Sequence, residues 1–123
     1  MASYAVRHTT PFYYMRVTKM KISNTYNSGR LTLYFSGELD HHGAKEAAET
    51  IDEILEEYLP RDCYVDLSGL KFMDSSGIAL ILRISRRMSR TGGRTAIEAP
   101  SAQPLRVIDA AGIERLVPVT AAK

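Results

Sequence analysis

A chain of 123 residues with 45% hydrophobic content holds enough apolar material for one domain with a single core, without disulfide or metal support. Sixteen basic against fourteen acidic residues leave a formal charge of +2, too small a bias to drive nucleic-acid or membrane binding by bulk electrostatics. A single cysteine, Cys63, excludes an internal disulfide, and its apolar strand context predicts a buried, inert thiol suited to a reducing cytoplasm.

The first fifteen residues carry Tyr4, Phe12, Tyr13 and Tyr14 among small and basic neighbours, with Pro11 interrupting any regular element. They read as an extension of uncertain order. An unstructured tail fits this pattern, and so does an aromatic arm docking on a second subunit of a homodimer. The arm has no continuous apolar core of signal-peptide type, and no run in the chain approaches the roughly eighteen apolar residues of a bilayer span. The expectation is one cytoplasmic domain over residues 16–123.

Arg16 to Asn24 carries Val17 and Ile22 among polar neighbours, which predicts a strand, and Asn27-Ser28-Gly29 predicts a turn. Leu31, Leu33 and Phe35 then alternate with Thr32, Tyr34 and Ser36, the period of a half-buried strand closing a hairpin. Asp40 is the natural N-cap of a helix over about His41 to Leu59, in which Ala44, Ala47, Ala48, Ile51, Ile54, Leu55 and Tyr58 form the buried stripe. The acidic residues off that stripe read as a solvated face. Pro60 and Arg61-Asp62 lead into a strand over Cys63 to Leu67.

A second helix is expected from about Ser76 to Thr91, with Ile78, Ile81, Leu82, Ser85 and Met88 facing the core, widened by Ala79, Leu80 and Ile84, and Gly92-Gly93 ending it. Arg83, Arg86, Arg87 and Arg90 share a face near its C-terminus, where cations are favoured. They suit either a solvated face or contact with an acidic partner surface. Arg94 to Ala99 is a strand, Ala102 to Ala111 a third helix with Leu105, Val107, Ile108 and Ala111 inward, and Ile113 to Val119 a last, edge strand. This order predicts an α/β fold: a small mixed sheet with its helices packed mainly on one face.

The chemistry concentrates between Asp66 and Ile78, where a strand end, a loop and a helix start follow in succession. Asp74, Ser75 and Ser76 offer side-chain oxygens to the unpaired N–H groups of the first helical turn. Capping alone accounts for them. The same helix start, with its partial positive charge, also tolerates a phosphoryl group on a serine, and spacing does not choose between the two. A hydrolase built on Ser75 or Ser76 with His41 or His42 and Asp40 or Asp74 is disfavoured, because Asp-Ser-Ser-Gly is not a Gly-x-Ser-x-Gly elbow. No set of residues has the spacing of a zinc site, and no phosphate-cradling or kinase signature is present, which favours a phosphate acceptor over a donor.

Phe72-Met73-Asp74-Ser75-Ser76-Gly77, with Gly37-Glu38-Leu39-Asp40-His41-His42 upstream, resembles the STAS domain of anti-sigma-factor antagonists, those of sporulation in particular. The resemblance spans Met20 to about Val119 and implies the STAS layout, with the Asp40 and Ser75 loops at one end of the sheet. It implies phosphorylation of Ser75 by a partner kinase, and a non-enzymatic role in partner switching that needs no cofactor. The unphosphorylated form would bind an anti-sigma factor serine kinase and release the sigma factor, and a serine phosphatase would restore it. Glu38, Asp40, His41, Asp74, Ser75 and Ser76 would make the contact surface. The alternative is a STAS interaction module of a stress-signalling scaffold or a transporter accessory subunit, without a phosphorylation cycle.

Overall fold

Two strands with a period of two open the part of the chain that the computed structural model describes, residues 19–120. In β1 (Met20–Asn27) Met20, Ile22 and Asn24 are buried in alternation, and in β2 (Arg30–Leu39) Leu31, Leu33 and Phe35 face the same core. Ser28 and Gly29 join them with φ of 51° and 89°, the paired left-handed geometry whose twist matches that of the flanking strands. The first strand therefore begins and ends later than the alternation around Val17 and Ile22 suggests, with Met20 a core residue. Val17 and the expected aromatic arm lie outside the described residues.

Three further pairings complete the architecture around α1 (His41–Tyr58), β3 (Asp62–Met73), α2 (Ser75–Arg90), β4 (Arg94–Glu98), α3 (Ala102–Ala111) and β5 (Val119–Thr120). The five strands neighbour one another in chain order; β1 and β2 are antiparallel and each later pair is parallel. A sheet that advances in one direction through crossovers of one hand collects its helices on one face. Burial agrees: Leu33, Phe35, Cys63, Val65, Leu67 and Ile97 are buried, whereas Tyr34 on the other face is exposed. Cys63 is a core residue, and burial pushes its thiol pKa up to about 12, so it is neither nucleophile nor redox sensor at neutral pH.

Several expectations are corrected. The inward stripe of α2 is Gly77, Leu80, Ile81, Ile84 and Met88, while Ile78, Leu82 and Ser85 are half-buried and Ala79 is exposed. Gly77 belongs to this stripe because there is no room for a side chain there: an added Cβ would lie 2.3 Å from Cγ of Met73. In α3 the buried residues are Pro104 and Ile108, with Leu105 and Ala111 exposed. The expected last strand is mostly a 3-10 turn, Ile113–Arg115, because Ile113 and Val117 are buried at a spacing that suits a turn; β5 follows as a two-residue strand. The acidic face of α1 is also not simply solvated, since Asp52 accepts from Arg83 at 2.7 Å and Glu56 pairs with Arg87.

β3 runs six residues past the expected end at Leu67. Asp66 makes this possible by accepting from both the N–H and the hydroxyl of Ser68, at 2.9 and 2.7 Å, which supports the chain where its register with β2 shifts. A matching bend in β2 requires Gly37: its φ is 96°, and a Cβ there would sit 2.0 Å from the Lys19 carbonyl oxygen. The two bends keep β2 and β3 paired to their last residues, Leu39 opposite Met73.

Candidate functional site

Paired strands that end together must release their chains together. Leu39 and Met73 are opposite one another, and the Asp74 N–H donates to the Leu39 carbonyl at 3.3 Å. Immediately beyond, Asp40 and Asp74 adopt nearly identical extended geometry, φ −105° and −106° with ψ −169° in both, and each caps a helix. The Asp40 carboxylate accepts from the Gly43 N–H at 2.9 Å, and the Asp74 carboxylate from the Ser76 N–H at 2.8 Å. Asp40-His41-His42-Gly43 and Asp74-Ser75-Ser76-Gly77 are thus two copies of one device, an aspartate cap with glycine at the third helical position. The glycines differ in duty: Gly43 has only ordinary contacts around a would-be Cβ, while Gly77 is pressed against Met73 and Leu39.

Of the expected contact residues, the structure brings all six to this end of the sheet. Glu38, Asp40, His41 and Ser75 are exposed, and Asp74 and Ser76 are half-buried. Ser75 is the first residue of α2, one position earlier than expected, and of the supposed three-oxygen cap only Asp74 serves as one. Among the described residues the Ser75 hydroxyl makes no hydrogen bond, so it is presented to solvent at the positive end of a helix. Neither histidine bonds to either serine among the described residues; their rings meet edge to face at 5.9 Å. The Gly43 N–H, with a smaller contribution from neighbouring His42, holds the Asp40 carboxyl below the usual carboxylate range.

Gln103 and Ser101, which the sequence reading left out of the site, hold the loop from behind. β4 pairs with β3 only as far as Asp66, which leaves the overhanging edge of β3 without a strand neighbour. The start of α3 fills that place. Gln103 accepts from the Met73 N–H at 2.8 Å and donates to the Met73 carbonyl at 3.0 Å, as a strand residue would, and the Ser101 hydroxyl donates to the Leu70 carbonyl. Its signal is faint in sequence, because only the length of β3 shows that an edge needs covering. Phe72, 39% exposed, is the apolar neighbour of this loop.

This fold and site define a mixed α/β module whose distinctive chemistry lies on an exposed pair of helix starts rather than in a cavity. The chain belongs to the STAS domain family, which it matches over residues 21–122. It is 29% identical over 100 residues to an anti-sigma F factor antagonist of Paenibacillus polymyxa, an alignment covering 81% of this chain and 86% of that protein. Its fold matches that of the anti-sigma factor antagonist SpoIIAA in its unphosphorylated form, with a TM-score of 0.70 and 24% identity over 80% of this chain and 86% of the other. It also matches the Bacillus cell fate determinant SpoIIAA in the phosphorylated form, with a TM-score of 0.58 and 25% identity over 85% of this chain and 86% of the other.

The cap at Asp40 has a pH signature. Its folded-state pKa lies below the unfolded value, so its contribution is complete above the ordinary carboxylate range and is lost as pH falls through the folded pKa. Urea midpoints measured from neutral pH down to about pH 2, well below the ordinary aspartate pKa, should show Asp40→Asn less stable at neutral pH and converging with wild type in acid. A gap independent of pH would contradict the charged cap. Gln103→Ala should cost about 1–2 kcal/mol by denaturant titration, the range for stranding a backbone donor and acceptor; an unchanged midpoint would show that the edge of β3 needs no cover.

Proposed function

We propose that this chain is a cytoplasmic anti-sigma-factor antagonist whose binding is switched by phosphorylation of Ser75. The observation that carries the reading is the exposed, unbonded Ser75 hydroxyl at the first position of α2, beside a second capped helix start. The names of the relatives support the antagonist role, and the phosphorylated form of SpoIIAA supports the view that such a fold tolerates a phosphoryl group. In its unphosphorylated form the protein binds an anti-sigma factor that is also a serine kinase, and the sigma factor is released. The kinase transfers the γ-phosphoryl group of ATP to Oγ of Ser75, and a serine phosphatase later removes it. The chain contributes an acceptor and a surface, with no turnover or cofactor of its own.

Electrostatics gives the switch its sign. Ser75 stands in a loop cluster that already carries the carboxylates of Glu38, Asp40 and Asp74, offset by two helix starts. Phosphoserine adds about 1.5–2 negative charges there. A partner that fits the neutral hydroxyl and brings no new cation must bury or repel that charge. A hundredfold loss of affinity requires only about 2.8 kcal/mol. Asp74 and Ser76 shape the loop, while Glu38, Asp40 and His41 extend the contact on the α1 side.

Intact-mass measurement with site mapping tests the kinase half of this cycle. Wild type, Ser75→Ala and Ser76→Ala are incubated with ATP and the anti-sigma kinase of the same cell. One phosphate, absent only from Ser75→Ala, is the expected result. Should no form take up phosphate while wild type still binds the partner, the loop is a docking surface of a scaffold or accessory module, and the switch is wrong.

A further inference from the structure

A cleft runs between α1 and α2 directly from Ser76. It has a volume of about 340 Å³, and Ala44, Ala48, Ala79 and Leu80 form its apolar floor. Lys45, Arg83 and Arg86 stand along it, and no carboxylate lines it. Arg83 and Arg86 also line the next hollow along the helices, with Arg87, Arg90 and Asp52. Two of these cations are already answered from α1, Arg83 by Asp52 and Arg87 by Glu56. Lys45, Arg86 and Arg90 have no ion pair among the described residues. A chain with a formal charge of only +2 has therefore gathered unanswered positive charge along one path that begins at Ser76, the chain neighbour of Ser75.

We propose that this cleft receives an acidic amphipathic segment of the anti-sigma partner, laid along α2 with its apolar side chains on the alanine floor and its carboxylates against Lys45, Arg86 and Arg90. The proposal rests on the reading of the protein as an antagonist and specifies the chemistry of its partner. The small floor residues leave room for side chains from outside, and the cationic edge selects carboxylates and steers their approach. Nucleic acid fits less well, because the cleft offers alanine and leucine where base stacking needs aromatic rings. A second copy of this chain fits poorly as well, since apposed clefts would set cations against cations.

The same arrangement makes the partner sensitive to Ser75. An acidic segment that ends beside Ser76 meets a phosphoserine head-on, so attraction along the cleft is opposed at its mouth by like charge.

The test is equilibrium binding of the anti-sigma factor of the same cell, at low and at high salt, to wild type, Arg86→Glu/Arg90→Glu, Lys21→Glu and Ser75→Asp. Lys21 is exposed on β1 next to two core residues and points away from the helices, so it controls for net charge. Reversal of both arginines should weaken binding about tenfold or more at low salt, with the loss shrinking as salt rises, while Lys21→Glu stays within about twofold. Circular dichroism of the double variant should match wild type, since neither arginine holds an ion pair. If the double variant binds like wild type while Ser75→Asp does not bind, the cleft is not the seat and the switch survives. If wild type itself fails to bind, the antagonist reading falls and this inference with it.

Discussion

The pairing of Leu39 with Met73 at the ends of β2 and β3 is the constraint on which the placement of the two helix starts, and with them the candidate site, depends. A one-residue slip there would turn Met73 out of the core and carry Asp74 away from its capping position. Register is protected from three sides. Gly37 allows the bend against Lys19 that a side chain would forbid, Asp66 holds the matching irregularity in β3, and Gln103 supplies the hydrogen bonds that a missing strand neighbour would have made. Each acts at a distance from Ser75, yet each determines where Ser75 stands.

Much of this was legible in the sequence, for identifiable reasons. Alternation in Leu31, Leu33 and Phe35 and the helical spacing of Ala47, Ile51, Ile54 and Leu55 report burial directly, so the second strand of the hairpin and α1 were found in place, while the first strand lies later than expected. Asp40 was readable as a cap because a carboxylate before a helical pattern has one strong local use. The failures occurred where local pattern is decided by tertiary contact. Leu70 and Met73 are core residues of β3, but the Ser68-Gly69 irregularity between Leu67 and Leu70 breaks the period that would have shown it. The apolar surface of α2 was legible through Leu80, Ile81, Ile84 and Met88, but Gly77, having no side chain, carries no hydrophobic signal although it is buried against Met73 and Leu39. Asn24 is fully buried on the core face, at a position where alternation alone argues for an apolar residue.

The same limit applies to charge. Read along the chain, the acids of α1 are a solvated face and the arginines of α2 suit either a solvated face or an acidic partner; in the fold, Asp52 and Glu56 neutralise Arg83 and Arg87 and leave a smaller, directed positive surface. A site built this way needs no deep pocket. Two capped helix starts flank one exposed hydroxyl, and the helices lead away from it side by side.

The measurement that bears most directly on this account is the affinity of the anti-sigma factor for two preparations of the wild-type protein, one unphosphorylated and one carrying a single phosphate on Ser75, with amide spectra of both. The account predicts that the phosphorylated form binds about a hundredfold more weakly, or worse, a difference of roughly 2.8 kcal/mol. Its spectrum should change only around the two helix starts. Equal affinities, or a spectrum changed throughout the sheet, would contradict a local charge switch at Ser75.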